Sequence, residues 1–144
     1  MSNKVNYADA VTCKVVKDTL DDYRFLRCWE GGKRLNGTQM NLGIINQDEI
    51  NIKDFKVQDE LQGRGLGTKM FAYLIKYCRR HLYRRVTGSI SYVDQFERLK
   101  IWYERLGFIV TESTHCGMAY DICYEIVYRS DRVPCSSMQQ EACS

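Results

Sequence analysis

The segment at positions 57–68 carries the residues best suited to chemistry: three glycines at alternate positions, Gly63, Gly65 and Gly67. Glycine lets the backbone turn sharply and brings its N–H groups close to a ligand. The helix that we predict directly after them leaves the N–H groups of its first turn without internal partners and carries the positive end of the helix dipole. Together with the charge of Arg64, this pattern predicts a site for a phosphate or pyrophosphate.

Two common phosphate-binding loops do not fit these residues. A dinucleotide fingerprint that starts at Gly63 needs a third glycine at position 68, which is Thr68, and an acidic residue about 20 positions later. A Walker A loop ends in Gly-Lys followed by Ser or Thr, whereas Gly67 is followed by Thr68 and then Lys69. An ordinary strand-to-helix turn is the remaining structural explanation, although three alternating glycines exceed what such a turn requires.

Strand patterns precede this loop. Segments rich in β-branched and aromatic residues lie at positions 12–17, 23–30, 38–46 and 49–57, and we predict that they form antiparallel strands. The segment 23–30 is ambiguous, because Leu20, Tyr23 and Leu26 also fit one face of a helix. Turn sequences separate the later strands, at Gly31-Gly32, Asn36-Gly37 and Asn46-Gln47-Asp48.

After the loop the apolar residues recur at helical spacing. The spacing predicts one helix over 67–82 and a second that contains Phe96, with Asp94 as its N-cap and Gly107 as its stop. Short strands are predicted over 86–91, 108–112 and 120–128. This order predicts an α/β (α+β) fold, a mixed sheet with helices packed on it. The fourth and fifth strands should run parallel, because a helix joins them.

The chain has 144 residues and an ordinary globular composition, so we expect one domain over residues 1–129 and a flexible tail over 130–144. Its longest apolar run, at 70–75, is too short to span a bilayer, and we expect no membrane partner. The seven cysteines form no C-x-x-C pair and no signal peptide opens the chain. Reduced thiols and a cytoplasmic location are therefore expected, with no zinc-type spacing and no metal site.

Two motifs together resemble the GNAT superfamily of N-acyltransferases. The first is Gln62-x-x-Gly65-x-Gly67, which is similar to the coenzyme A loop of that family. The second is Tyr103-x-x-x-Gly107-Phe108, which is similar to the segment that ends the next helix and starts the following strand. The resemblance implies acetyl-CoA as cofactor and two central parallel strands that splay apart around its pantetheine arm.

The resemblance also implies roles for individual residues. Backbone groups of Phe55 and Val57 would pair with the pantetheine amides. The N–H groups of the loop would hold the pyrophosphate, and they belong to Gln62, Gly63, Arg64, Gly65, Leu66, Gly67 and Thr68. Tyr103 would be the general acid that protonates the departing thiolate, although its spacing also suits a core residue.

The general base and the acceptor site are less defined. Family members often place a glutamate where this chain has Asn51, which cannot act as a base. Asp54 on the same strand is the nearest ionisable substitute, and a solvated edge residue is the other reading. Little chain precedes the loop to form the helices that usually cover the acceptor site. That site is then open, completed by a partner subunit as in a homodimer, or absent.

The resemblance therefore implies an N-acetyltransferase that moves an acetyl group from acetyl-CoA to a primary amine by direct attack in a ternary complex. A non-catalytic GNAT-like protein that binds coenzyme A or regulates a partner is the alternative, favoured by Asn51. Nucleic-acid binding is a third and weaker option. It would use the acid-free stretch between Gly67 and Asp94, with its six lysines and arginines, which also suits a solvated helix face.

Overall fold

A seven-stranded sheet organises the chain, for which a computed structural model describes residues 7–17, 19 and 22–128. The strands are β1 (Val11–Lys17), β2 (Tyr23–Glu30), β3 (Lys33–Asn46), β4 (Glu49–Lys56), β5 (Arg85–Ser91), β6 (Ile109–Glu112) and β7 (Met118–Glu125). Two α-helices, α1 (Leu66–Arg80) and α2 (Phe96–Leu106), flank β5 in sequence, and short 3-10 helices lie at Tyr7–Ala10 and Asp59–Leu61. The predicted tail over 130–144 lies outside the described residues.

The strand order is β1-β2-β3-β4-β5-β7-β6. Every neighbouring pair is antiparallel except β4 with β5, which run parallel. The predicted mixed, mostly antiparallel sheet is thereby confirmed, as is the strand interpretation of β2. Within the described residues, no helix is long and apolar enough to cross a membrane.

The predicted turn at Asn36-Gly37 is wrong. The chain reverses at Gly31-Gly32, and β3 continues through Gly37. Gly37 adopts a left-handed φ of 84° inside the strand. The pairing of β2 with β3 is irregular beside it, since Arg27 faces Gln39 whereas Trp29 faces Arg34. The Asn-Gly pair therefore accommodates extra residues in a bulge rather than a hairpin turn.

The helix predictions hold with small shifts in their ends. α1 ends at Arg80, two residues before the predicted end. α2 ends at Leu106, and Gly107 stops it as predicted, as a C-cap with a left-handed φ of 108°. The N-cap prediction is wrong, because Gln95 rather than Asp94 occupies that position and no side chain caps the helix. β7 begins at Met118 and ends at Glu125, earlier at both ends than predicted.

The two helices pack on the same face of the sheet. Along β7, Tyr120, Ile122 and Tyr124 alternate with Asp121 and Cys123, so the two sets point to opposite faces. The ring of Phe71 in α1 lies 5.2 Å from that of Tyr124, and the ring of Phe96 in α2 lies 5.9 Å from that of Tyr120. We call this side the helix face.

The opposite side of the central strands is polar. Register places Asn51 of β4 beside Thr87 of β5, Thr87 opposite Cys123, and Ser89 opposite Asp121. We call this side, defined by those five residues, the open face, because within residues 7–17, 19 and 22–128 neither α-helix packs on it. In the sequence, only residues 18–22 lie between β1 and β2.

The parallel strands β4 and β5 separate before either one ends. Their pairing runs from Glu49 with Arg85 to Ile52 with Gly88, whereas β4 continues to Lys56 and β5 to Ser91. β4 changes register at this level, because Leu42 of β3 faces Ile52 while Asn41 faces Asp54, which leaves Lys53 as an extra residue. A bulge bends its strand, so the extra residue accounts for the separation.

Candidate functional site

The loop after β4 is anchored at its start by β3. The N–H of Gln58 donates to the hydroxyl oxygen of the buried Thr38 at 3.1 Å. The side chain of Gln62 then donates to the carbonyl oxygen of Val57 at 2.9 Å, and the N–H of Gln62 donates to the carbonyl oxygen of Asp59 at 3.2 Å. Gln62 thus closes the 3-10 turn at Asp59–Leu61, and its N–H group is already engaged.

The residues after Gln62 lead into the start of α1, where N–H groups lack helical partners. Gly63 and Gly65 both adopt left-handed conformations, with φ of 79° and 84°. Gly65 is the N-cap of α1, and the first helical hydrogen bond runs from the N–H of Lys69 to its carbonyl oxygen. The N–H groups of Leu66, Gly67 and Thr68 therefore have no partner within the helix. The structure thus forms the helix start on which the predicted anion site depends.

Gly67 has a packing role that the sequence did not indicate. A Cβ atom at this position would lie 3.1 Å from Cζ2 of Trp102 and 3.6 Å from Cζ of Phe55. The rings of Phe55 and Trp102 are 5.7 Å apart, so a β4 residue, α1 and α2 meet at this glycine. The absence of a side chain at Gly67 sets how closely the two helices approach.

The basic residues near α1 have partners within the fold. Lys69 donates to the carbonyl oxygens of Ala8 and Val11, and the guanidinium of Arg64 lies 5.3 Å from the ring of Tyr7. Arg79 donates to the carbonyl oxygen of Val127. These contacts favour a structural role for much of the basic stretch over a continuous phosphate-binding face.

Tyr103 is buried on the helix face, with 7% of its surface exposed. Its ring packs edge-on against Trp102 and Phe108, with centroid distances of 5.0 and 5.1 Å. Burial raises the pKa of Tyr103 to about 12, so the phenol stays protonated at neutral pH. Its hydroxyl has no hydrogen-bond partner among the described residues, whereas buried tyrosine hydroxyls usually find one.

The polar residues of β4 lie on the other side of the sheet. Asn51 donates to the hydroxyl oxygen of Thr87 at 2.9 Å, and Thr87 donates to Glu49 at 2.7 Å. Glu49 also lies 3.6 Å from Arg85. Asp54 comes directly after the separation of the strands, opposite Asn41, and its side chain is exposed.

A cavity of about 330 Å³ opens on this face, and sequence reasoning did not find it. Its polar lining comes from Asn51, Thr87, Ser89, Thr111, His115 and Asp121. These residues belong to four strands and one loop and share no motif. The alternation of polar residues along β5 and β7 was the available signal, but it does not indicate which strands are neighbours.

A helix start with open N–H groups, a split between parallel strands and a buried phenol define a class of protein, the acyltransferases of GNAT fold. The family model described as "Acetyltransferase (GNAT) domain" matches residues 21–110. The chain belongs to the GNAT acetyltransferase family.

Solved structures show the same fold at low sequence identity. A GNAT acetyltransferase from Elizabethkingia anophelis with acetyl-CoA bound has a TM-score of 0.65 at 12% identity, over 82% of this chain and 99% of that one. PaiA N-acetyltransferase from Thermoplasma acidophilum in complex with coenzyme A has a TM-score of 0.62 at 13% identity. The match covers 73% of this chain, which spans only 62% of the PaiA chain.

Ard1 from Thermoplasma volcanium has a TM-score of 0.61 at 17% identity, over 75% of this chain and 72% of that one. A search of curated proteins found no significant match. At these identities the structural matches establish the fold and leave the substrate to be inferred from the site.

Proposed function

We propose that this protein transfers an acetyl group from acetyl-CoA to a primary amine, by direct attack of the amine in a ternary complex. Membership of the GNAT family supports acetyl transfer, and two structural neighbours hold coenzyme A or acetyl-CoA. The observation that carries the proposal is the early end of the β4–β5 pairing at Ile52 and Gly88, close in sequence to a helix start with open N–H groups.

The residues around this split fit a coenzyme A thioester. The N–H groups of Gly63, Arg64, Gly65, Leu66, Gly67 and Thr68 would hold the pyrophosphate, with Gln62 bracing the loop through Val57. Beyond Ile52, the edge of β4 that faces away from β3 has no partner in β5, which leaves backbone groups near Phe55 and Val57 for an extended ligand. When bound, acetyl-CoA supplies the acetyl thioester.

Tyr103 is the proposed general acid. Its buried hydroxyl lacks a partner among the described residues, and its raised pKa keeps the proton available for the thiolate that leaves. The catalytic role of Asp54, which is exposed just beyond the split, stays a prediction from the sequence. The homodimer and the cytoplasmic location also stay predictions.

Acetyl-CoA binding and turnover test this function separately. Acetyl-CoA at about 100 times its dissociation constant should stabilise the fold by about 2.7 kcal/mol, which raises Tm by several degrees. Release of free thiol with a panel of primary amines then reports transfer. A Tm shift without thiol release would support the non-catalytic alternative, and no shift with acetyl-CoA would overturn the proposal.

A further inference from the structure

The cavity on the open face has the chemistry of a site for a positively charged amine. Asp121 is the one carboxylate among its lining residues, and neither lysine nor arginine lines it. Oxygen and amide groups of Asn51, Thr87 and Thr111 surround the same space, while Ile109 supplies apolar wall. An ammonium group needs such acceptors, and an alkyl chain needs such a wall.

His115 and Asp121 form a pair at one side of this cavity. Nδ1 of His115 lies 3.8 Å from Oδ2 of Asp121 and 3.3 Å from the hydroxyl oxygen of Ser113. Ser89 donates to Oδ1 of Asp121 at 3.1 Å, which fixes the carboxylate. The contacts of His115 with Asp121 and with Ser113 both involve Nδ1. Among the described residues, Nε2 of His115 has no partner.

We propose that this cavity is the acceptor site and that His115, whose Nδ1 faces Asp121, accepts the proton that a primary alkylammonium must lose before it attacks. This inference rests on the proposed acetyl transfer. His115 is a catalytic residue in this scheme because Nε2 meets the substrate, and Asp121 is a positioning residue that also attracts the cation.

The proton and electron balance of the step is complete. An N–H bond of the ammonium breaks and its proton goes to Nε2 of neutral His115. The amine nitrogen then bonds to the acetyl carbon and becomes positively charged, and the C–S bond breaks with its electron pair going to sulfur. A second N–H bond of this nitrogen breaks and its proton goes to solvent, which leaves the neutral amide. The hydroxyl of Tyr103 gives that sulfur a proton. His115, with 73% of its side chain exposed, returns its proton to water, and Tyr103 is reprotonated from solvent.

The other carboxylates near the split are less suited to this step. Glu49 accepts a hydrogen bond from the hydroxyl of Thr87 through one oxygen, and its other oxygen lies 3.6 Å from Arg85, so both oxygens already have partners. Asp54 is exposed and does not line the cavity. The titratable side chains that do line it are His115, Asp121 and Cys123, and burial is the main cause that raises the pKa of the Cys123 thiol.

The histidines of the chain allow a matched test, because there are two. His81 follows α1, packs on Tyr77 and does not line the cavity. His81→Gln therefore makes the same chemical change as His115→Gln at a position outside the proposed site. Rates with saturating acetyl-CoA would be measured with butane-1,4-diamine and with a lysine peptide whose N-terminus is blocked. The two acceptors distinguish a free amine from a protein side chain.

We expect His115→Gln to lower kcat/KM for the preferred amine about 100-fold and to remove the limb of the pH profile that reflects the imidazole. Asp121→Asn should lower it about tenfold, mainly through KM, and acetyl-CoA affinity should be unchanged in both variants. A rate for His115→Gln within threefold of wild type would overturn the proposal, as would an equal loss in His81→Gln. If only Asp54→Asn lowered kcat/KM, the base would be Asp54 rather than His115.

Amine binding can also be observed without turnover. Proton NMR signals of the two imidazole rings, assigned with the two histidine variants, would be followed while each amine is added to the complex with coenzyme A. The proposal requires the His115 signals to move and those of His81 to stay. If neither amine moves the His115 signals, the acceptor site is elsewhere. A wild-type protein that binds the amine but releases no thiol would instead contradict the proposed acetyl transfer.

Discussion

The helix face and the open face of the sheet place the two groups proposed for proton transfer, Tyr103 and His115, in opposite environments. On the helix face, Tyr103 is enclosed by aromatic rings, and burial raises its pKa to about 12. On the open face, His115 is exposed to water and its Nδ1 lies 3.8 Å from Oδ2 of Asp121 in β7. A buried acid keeps its proton until a ligand reaches it, whereas an exposed base can exchange its proton with solvent after each turnover.

The largest expected effect comes from loss of the proposed general acid, Tyr103. Tyr103→Phe keeps the ring contacts with Trp102 and Phe108 but removes the hydroxyl. We expect kcat to fall between about 10²- and 10⁴-fold, the usual contribution of a general acid or base. Steady-state kinetics would measure the fall, and calorimetric titration with acetyl-CoA should give an almost unchanged Kd. If affinity fell as much as kcat, Tyr103 would be a packing residue.

Alkaline unfolding sharpens the same comparison. Because burial raises the pKa of Tyr103 from 10 to about 12, its neutral form stabilises the fold fully below pH 10, and this stabilisation is lost as pH rises through 12. Two pKa units correspond to about 3 kcal/mol. Urea denaturation between pH 9 and 12 should show that wild type loses about that much more stability than Tyr103→Phe.

The buried thiol of Cys78 acts in the same direction, since burial raises its pKa from 9 to about 12. Both proteins contain Cys78, so its contribution cancels in the difference between them. Equal losses of stability in wild type and Tyr103→Phe over this pH range would contradict the buried, protonated phenol.

The two faces also differ in how far sequence could predict them. The glycine loop and the segment from Tyr103 to Phe108 are each a single continuous stretch of sequence. Local backbone rules link the first to a helix start and the second to a helix end, so the sequence could predict both. The cavity was not found, because Asn51, His115 and Asp121 meet only through the strand order and the register. The misplaced turn at Gly37 has a related cause, since a left-handed glycine fits a bulge as well as a hairpin.

The contact between the two helices provides a smaller effect. Gly67→Val should destabilise the ligand-free fold by about 2 kcal/mol, because a Cβ at this position would already lie 3.1 Å from Trp102. Chemical denaturation measures the loss, and Trp102 fluorescence should report the displaced ring. Trp102→Leu in the same chain should recover part of the stability, as expected for two residues in contact. Additive losses would show that Gly67 and Trp102 do not interact.

The smallest expected effect separates backbone conformation from ligand contact within the loop. Gly65→Ala requires a Cβ at a φ of 84°, which costs about 1 kcal/mol of stability, and it places a methyl group beside the proposed pyrophosphate site. Gly31→Ala is the matched control, because Gly31 has a φ of 59° and no atom within 4 Å of the added Cβ. Both variants should show a similar fall in Tm. Only Gly65→Ala should weaken acetyl-CoA binding, by about tenfold, which is 1.4 kcal/mol. Equal affinity in the two variants would mean that the N–H groups after Gly65 do not hold the phosphates, and the role of the loop would then be limited to starting α1.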